Sequence, residues 1–226
     1  GRPASSVNYT HNPVFFLIDP LPTEMGGYAD PAVAAGTVVS TRDPDNNLRA
    51  TVPNVATGKF VLAYLPENTH YTVVVAGQNL TTAAVTGVPV SISTGITTLN
   101  TAATPIPLPP SPSASVAGVV TNAANTPLPD ATVNAQQVLS GGQRLDVAWM
   151  PVDPIDASYS LTLPLAAPIR APYLAGGPLV FTADTAVAGQ YGILAAAPGY
   201  TLQNTAPAVT LTVPNSVTIK DLVLAP

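Results

Sequence analysis

The sequence predicts an all-β protein: two β-sandwiches in tandem, preceded by an extra N-terminal strand. Three observations carry this. Strand-length runs of β-branched and aromatic residues recur along the chain, each bounded by Gly, Pro or Asn. No window holds a 3.6-residue apolar stripe for three turns, and prolines would break most candidates. A proline-rich stretch near the middle separates two halves that repeat each other.

Residues 1–30 read as an N-terminal extension. Within it, Pro13-Val14-Phe15-Phe16-Leu17-Ile18-Asp19-Pro20 is a strand apolar on both faces, with Phe15 and Leu17 on one and Val14, Phe16 and Ile18 on the other. Left exposed, such a strand aggregates. It therefore needs a cover, either its own domain or a neighbouring copy of the chain.

Residues 31–101 form the first sandwich, with strands expected at Thr37–Val39, Phe60–Tyr64, Tyr71–Val75 and Val88–Ile92. Residues 102–115 form a linker. Its prolines at 105, 107, 109, 110 and 112 cannot donate to a sheet and favour extended polyproline II, which makes a semi-rigid spacer. Ile106 and Leu108 alternate with these prolines, so part of the stretch suits an edge strand. Residues 116–226 form the second sandwich. It carries an inserted segment near 165–189, with a strand expected at Leu179–Ala183, and a later strand at Val209–Val213.

The halves match segment by segment. Gly36-Thr37-Val38-Val39 answers Gly118-Val119-Val120-Thr121, and Gly58–Leu62 with Leu65-Pro66 answers Ser158–Leu161 with Leu163-Pro164. Tyr71–Ala76 answers Tyr191–Ala196, Val85–Val90 answers Val209–Val213, and Ile96–Leu108 answers Val217–Leu224.

In the second half, Gly118-Val119-Val120, Pro127-Leu128-Pro129-Asp130-Ala131-Thr132-Val133, Tyr159-Ser160-Leu161, Leu163-Pro164, Tyr191, Ala197-Pro198-Gly199-Tyr200 and Asp221-Leu222-Val223-Leu224 follow in order. This series resembles the carboxypeptidase regulatory-like domain, across most of Ser113–Pro226. The resemblance implies a transthyretin-like, immunoglobulin-like sandwich of about seven strands with a structural, stalk or adhesive role and no catalysis. The first half fits more loosely, with Ala76-Gly77-Gln78-Asn79 where the Ala-Pro-Gly-Tyr segment would stand.

Composition narrows the classes further. Hydrophobic residues make up 46% of the 226 and charged residues only 8%, against about 25% in an ordinary soluble domain. Pro and Gly together are 42 residues (26 and 16), about 19%, below the share that marks low-complexity disorder. Seven Lys and Arg with a net charge of −5 argue against a nucleic-acid or anionic-membrane footprint. The 59 residues from Tyr71 to Pro129 are uncharged, yet polar residues and prolines interrupt every apolar run, so no membrane span forms. With no cysteine, disulfides, thiolate zinc and iron–sulfur clusters are excluded. The chain opens Gly1-Arg2-Pro3, as a processed product would.

An enzyme is not expected. The two histidines, His11 and His70, stand near no nucleophile or zinc motif, and the twelve carboxylates are scattered. His70 reads as a turn residue. The densest acidic spot, Asp43-Pro44-Asp45-Asn46-Asn47, has two readings. One is a calcium loop using Asp43, Asp45 and Asn47; the other is a turn whose side chains bond their own backbone. Asp146, Asp153 and Asp156 form a looser group around Trp149. Trp149 and the tyrosines suit either a sugar platform or core plugs. Asn8 and Asn79 begin glycosylation sequons.

Edges decide the functional expectation. Natural sheets guard edge strands with Lys, inward charges or covering elements. This chain has two lysines, Lys59 and Lys220, for several edges. The expectation is an extracellular or cell-surface structural protein, secreted and processed, whose partner is another copy of itself. Copies would join into a filament or surface layer by β-strand addition through Val14, Phe15, Phe16, Leu17 and Ile18. The alternative is a monomeric adhesive or glycan-binding stalk module of a larger surface protein.

Overall fold

The structure is a computed structural model that describes residues 23–93, 95–200, 203–204 and 209–226. It is all-β; among the described residues, helix is confined to two three-residue 3-10 turns, Pro31–Val33 and Thr185–Val187.

The first sandwich contains strands β1 (Glu24–Tyr28), β2 (Thr37–Arg42), β3 (Leu48–Thr51), β4 (Lys59–Leu62), β5 (Asn68–Gly77), β6 (Ala83–Val90) and β7 (Ile96–Thr98). One layer runs β4-β1-β7; the facing layer runs β6-β5-β2-β3. Alternation along β5 sends Tyr71, Val73 and Val75 inward, where they meet Met25, Phe60, Leu62, Val85 and Val88. The second sandwich contains β8 (Ser113–Asn122), β9 (Thr132–Val138), β10 (Arg144–Pro151), β11 (Ser158–Pro164), β14 (Gln190–Ala196), β15 (Gln203–Asn204), β16 (Val209–Thr210), β17 (Val217–Ile219) and β18 (Leu222–Leu224). Its layers are β10-β9-β14, extended by β15 and β16, and β11-β8 flanked by β17 and β18. Between 164 and 190 lie β12 (Ile169–Pro172) and β13 (Thr182–Ala183).

The two sandwiches are the same structure twice, and the hydrogen bonds give the register. Ala29 N donates to Gly58 O at 2.9 Å, and Val120 N donates to Ala157 O at 3.0 Å. Tyr28 N donates to Asn100 Oδ1 at 2.8 Å, and Val119 N donates to Asp221 Oδ1 at 3.0 Å. The turns before β4 and β11 also coincide. Gly58 N donates to Asn54 O and Ala157 N to Asp153 O, while the Asn54 and Asp153 side chains accept from backbone two residues on. Gly58 and Ala157 both take a positive φ there, 70° and 58°. Tyr71 Oη donates to Pro66 O, and Tyr191 Oη to Pro164 O.

This register corrects one of the expected correspondences. Ala29 stands where Val120 stands, so Gly27 is the partner of Gly118; Gly36 is not. At both positions a parallel neighbour crowds the backbone: an added Cβ would lie 2.6 Å from Asn100 Oδ1 at Gly27 and 2.2 Å from Lys220 O at Gly118. The strand after Gly36 corresponds to β9, since β2 and β9 each lie between the equivalents β3/β10 and β5/β14. The first sandwich therefore begins with β1, inside the stretch expected as extension.

Four local expectations also change. His70 lies within β5, in place of a turn. The strand expected at Leu179–Ala183 is reduced to Thr182–Ala183, and the insertion's longer strand is β12. The strand expected at Val209–Val213 is confined to Val209–Thr210. The proline-rich linker is a packed element: Ile106 and Leu108 are buried in the first core, and Ile106 bridges Ala29 in parallel.

The junction between the sandwiches is interlocked. β12, which belongs by sequence to the second half, pairs in parallel with β6 of the first, from Ile169↔Ala83 to Pro172↔Thr86. With β13 it completes a six-stranded sheet, β13-β12-β6-β5-β2-β3. The outer face of that sheet, Val74, Ala76 and Ala84, packs into the core cluster of the second sandwich.

Candidate assembly edges and the interdomain junction

The predicted assembly strand, Val14, Phe15, Phe16, Leu17 and Ile18, lies outside the described residues, as does Asn8. The edges that could accept such a strand are described, and they differ in how they are guarded. β3 carries Arg49, β4 carries Lys59, and β10 carries Arg144, Asp146 and Pro151. β11 ends in Pro164 and lines the interdomain cleft with Ser160 and Thr162. β13 is two residues long. Each of these uses a device that discourages strand addition.

Within its three residues β17 carries neither charge nor proline; Lys220 follows at its C-terminal end. Residues 185–219, 35 in all, contain no charged side chain. Among the described residues, β17 pairs in parallel with β8 on one side only, Val217↔Ser115 to Ile219↔Ala117. Ser115 N donates to Ser216 O, and Lys220 N donates to Ala117 O, both at 2.8 Å. The ladder thus engages residues 216, 218 and 220, and the alternation of a parallel pair turns the amides and carbonyls of Val217 and Ile219 outward. Their side chains are 62% and 69% exposed.

β7 is the counterpart of β17 in the first sandwich, parallel to β1 as β17 is to β8. There the insertion stands beside the edge. Tyr173 Oη donates to Thr98 O at 3.4 Å, and residues 173 and 175–179 wall a groove of about 540 Å³ along Ile96–Thr101.

The Asp43 loop is occupied by the protein's own donors. Asn47 N donates to Asp43 Oδ1 at 2.8 Å, and Asn47 Nδ2 and the Arg49 guanidinium donate to Oδ2. Burial pushes the Asp43 carboxyl up, but these bonds and the Arg49 charge outweigh it and hold the group below its usual range. Asp45 and Asn47 are exposed, and Asn46 takes φ 66°, which makes this a hairpin turn built on Asp43. Among the described residues, no three His, Cys, Asp or Glu are grouped to hold a metal. Asn79 is an exposed turn residue with φ 58°. Asp153 and Asp156 are exposed turn residues.

Asp146 has a different place, which sequence reasoning did not assign. Its buried carboxylate accepts Arg42 Nε at 2.6 Å and Nη2 at 2.8 Å from the other sandwich, Gln136 Nε2 at 2.8 Å, and Asn134 Nδ2. Burial raises its pKa, and the bonds from Arg42, Gln136 and Asn134 more than reverse this, leaving it lowered. Beside this cluster, Trp149 is 37% exposed and lines a cleft of about 500 Å³ with Arg42, Asn134 and Arg144.

No protein-family model matches the chain, and no curated protein matches it. Among solved structures, the chain is similar to the Bacillus anthracis TIE protein at 12% identity and a TM-score of 0.34, over 90% of this chain and 34% of that one. It is similar to a streptococcal ancillary pilin at 13% identity and TM-score 0.34, over 92% of this chain and 64% of the pilin. It is also similar to 3-chlorocatechol 1,2-dioxygenase from Rhodococcus opacus 1CP at 14% identity and TM-score 0.32, over 51% of this chain and 60% of that one. The chain thus spans about a third of the first of these proteins and about three fifths of the other two. At such scores these likenesses identify no family and carry no functional conclusion.

Proposed function

We propose that the chain is a non-catalytic structural subunit that joins copies of itself into a filament or layer outside the cell, by addition of the strand at residues 13–19 to a sheet edge of a neighbour. The observation that carries this reading is the edge of β17, with two exposed aliphatic side chains and outward-facing backbone groups. Strand addition supplies main-chain hydrogen bonds for affinity and alternate side chains for fit. Fully burying an aliphatic or aromatic side chain contributes about 1.5–3 kcal/mol. Five such residues supply on the order of 10 kcal/mol before ordering costs, enough for a lasting contact. The donor and acceptor surfaces differ, so repetition gives an open chain of subunits. The interlocked junction supports the same reading, because a filament subunit must transmit load between its two ends without a hinge. We assign the second sandwich to the carboxypeptidase regulatory-like class, whose members have structural and adhesive roles.

The test is negative-stain microscopy and sedimentation of the purified full chain. Filaments or sheets that disappear in Phe16→Asp, with each sandwich still folded, fit the proposal; a monodisperse monomer at all concentrations overturns it. The second reading, a glycan-binding surface module, rests on Trp149 in its cleft with Arg42, Arg144 and Asn134. Binding of neutral oligosaccharides that is lost in Trp149→Ala would favour it.

A further inference from the structure

We infer that the acceptor for residues 13–19 is the β17 edge, Val217–Ile219, of a second copy; this rests on the strand-addition reading above. The duplication isolates the choice. β7 and β17 are equivalent edges, uncharged and parallel to their neighbours. At β7 the insertion engages one carbonyl, Thr98 O, through Tyr173 Oη and leaves Ile96 57% exposed, whereas nothing among the described residues pairs with β17 on its outer side. β3, β4 and β10 carry charge, β11 ends in proline and β13 is two residues long, while β18, Leu222–Leu224, is an uncharged three-residue strand like β17 and follows it directly after Lys220 and Asp221.

The occupant is argued from the chain that lies before Thr23. Those 22 residues include one five-residue apolar run, Val14–Ile18, with apolar side chains on both of its faces. One face covers Val217 and Ile219 on the outside of the sheet; the other follows the core side at the edge.

A second copy is required by reach. The run joins β1 through residues 19–23, which span at most about 18 Å when extended. β1 belongs to the layer of the first sandwich that faces away from the junction, since Val74, Ala76 and Ala84 of the opposite layer make the contact. In the second sandwich β11 lines the junction cleft, and β17 lies beyond β8 from it. Crossing one sheet spacing of about 10 Å and two strand spacings of about 4.8 Å already exceeds the tether.

The chain has no cysteine, so thiols can be placed at will. Two differently tagged full-length populations are mixed, one carrying Phe15→Cys or Phe16→Cys, the other Ile219→Cys or, as the comparison, Ile96→Cys on β7. A short bifunctional thiol reagent joins pairs that assemble. The expected result is a mixed-tag dimer with Ile219→Cys and none with Ile96→Cys. In parallel, the double variant Val217→Lys/Ile219→Lys should lose assembly while its melting temperature stays within a few degrees of the parent, because both side chains are exposed.

Cross-linking at Ile96→Cys in place of Ile219→Cys would overturn the edge assignment and leave strand addition standing. Normal polymers from the double-lysine variant would also overturn the assignment. A parent chain that never assembles would overturn the strand-addition reading itself.

Discussion

Arg42 of the first sandwich and Asp146 of the second face each other as a two-pronged ion pair, Nε to Oδ2 at 2.6 Å and Nη2 to Oδ1 at 2.8 Å. The pair is lopsided: the carboxylate is buried, while the guanidinium side chain is 29% exposed. Removing the arginine therefore strands a buried charge, whereas removing the acid frees a guanidinium that water can reach. Arg42→Ala should destabilise the protein by about 3 kcal/mol, and Asp146→Asn by clearly less, measured by urea denaturation.

The same carboxylate sets an acid limit. Its pKa in the folded protein is lowered from the ordinary 3.8. A depressed carboxyl contributes stability that is present above the unfolded-state value and lost as pH falls through the folded one. The melting temperature should fall on acidification below about pH 4, and the fall should be shallower in Asp146→Asn.

The two tyrosine bonds predict a matched pair of losses. Tyr71→Phe and Tyr191→Phe each leave a proline carbonyl, Pro66 O or Pro164 O, without its donor. Each should cost about 1–2 kcal/mol in equilibrium unfolding. Burial first, and then the Asp43 charge, push the Tyr71 phenol up to about 12. Stability linked to that phenol is full below its unfolded value near 10 and is lost as pH rises toward 12. A spectrophotometric titration should show Tyr71 ionising only with alkaline unfolding.

Gln137 makes the opposite case. Its side chain lies in the second sandwich with 0% exposure, and neither amide atom has a hydrogen-bond partner among the described residues. Gln137→Met keeps the volume and removes two polar atoms from the core. It should raise stability by about 1–3 kcal/mol, seen as a rise of several degrees in melting temperature.

The interlocked junction predicts a single calorimetric unfolding transition for both sandwiches. Residues 23–112 expressed alone lack β12 and expose the Ala83–Thr86 side of β6, so this fragment should aggregate or stay unfolded. A soluble, cooperatively folded fragment would show that β12 is dispensable.

Much of this architecture was legible in the chain because its signals are local. Strand-length runs, Tyr71 five residues after Pro66, and the Asp43 turn all state their structure within a few residues. The register of the repeat was harder. Gly36 and Gly118 each precede β-branched residues, but Gly27 shares the crowding at Gly118, and that crowding comes from Asn100 and Lys220 far along the chain. β12 was not legible at all: Ile169-Arg170-Ala171-Pro172 contains a charge and a proline, and its partner is a strand of the other sandwich. Asp146 looked like one of three loop acids because its partner, Arg42, is 104 positions away.

The pairing of β12 with β6 also dictates an order of events during synthesis. A ribosome delivers the first sandwich before the second, yet Ala83–Thr86 cannot gain its final neighbour until Ile169–Pro172 has emerged. The leading sandwich must wait, its sheet incomplete, while the linker and about half of the trailing sandwich are made. Its open flank is the Ala83-Ala84-Val85-Thr86 side of β6, uncharged and apolar in three of four positions. The chain is thereby kept from completing its first half early, and the first sandwich is finished only when the second is half made.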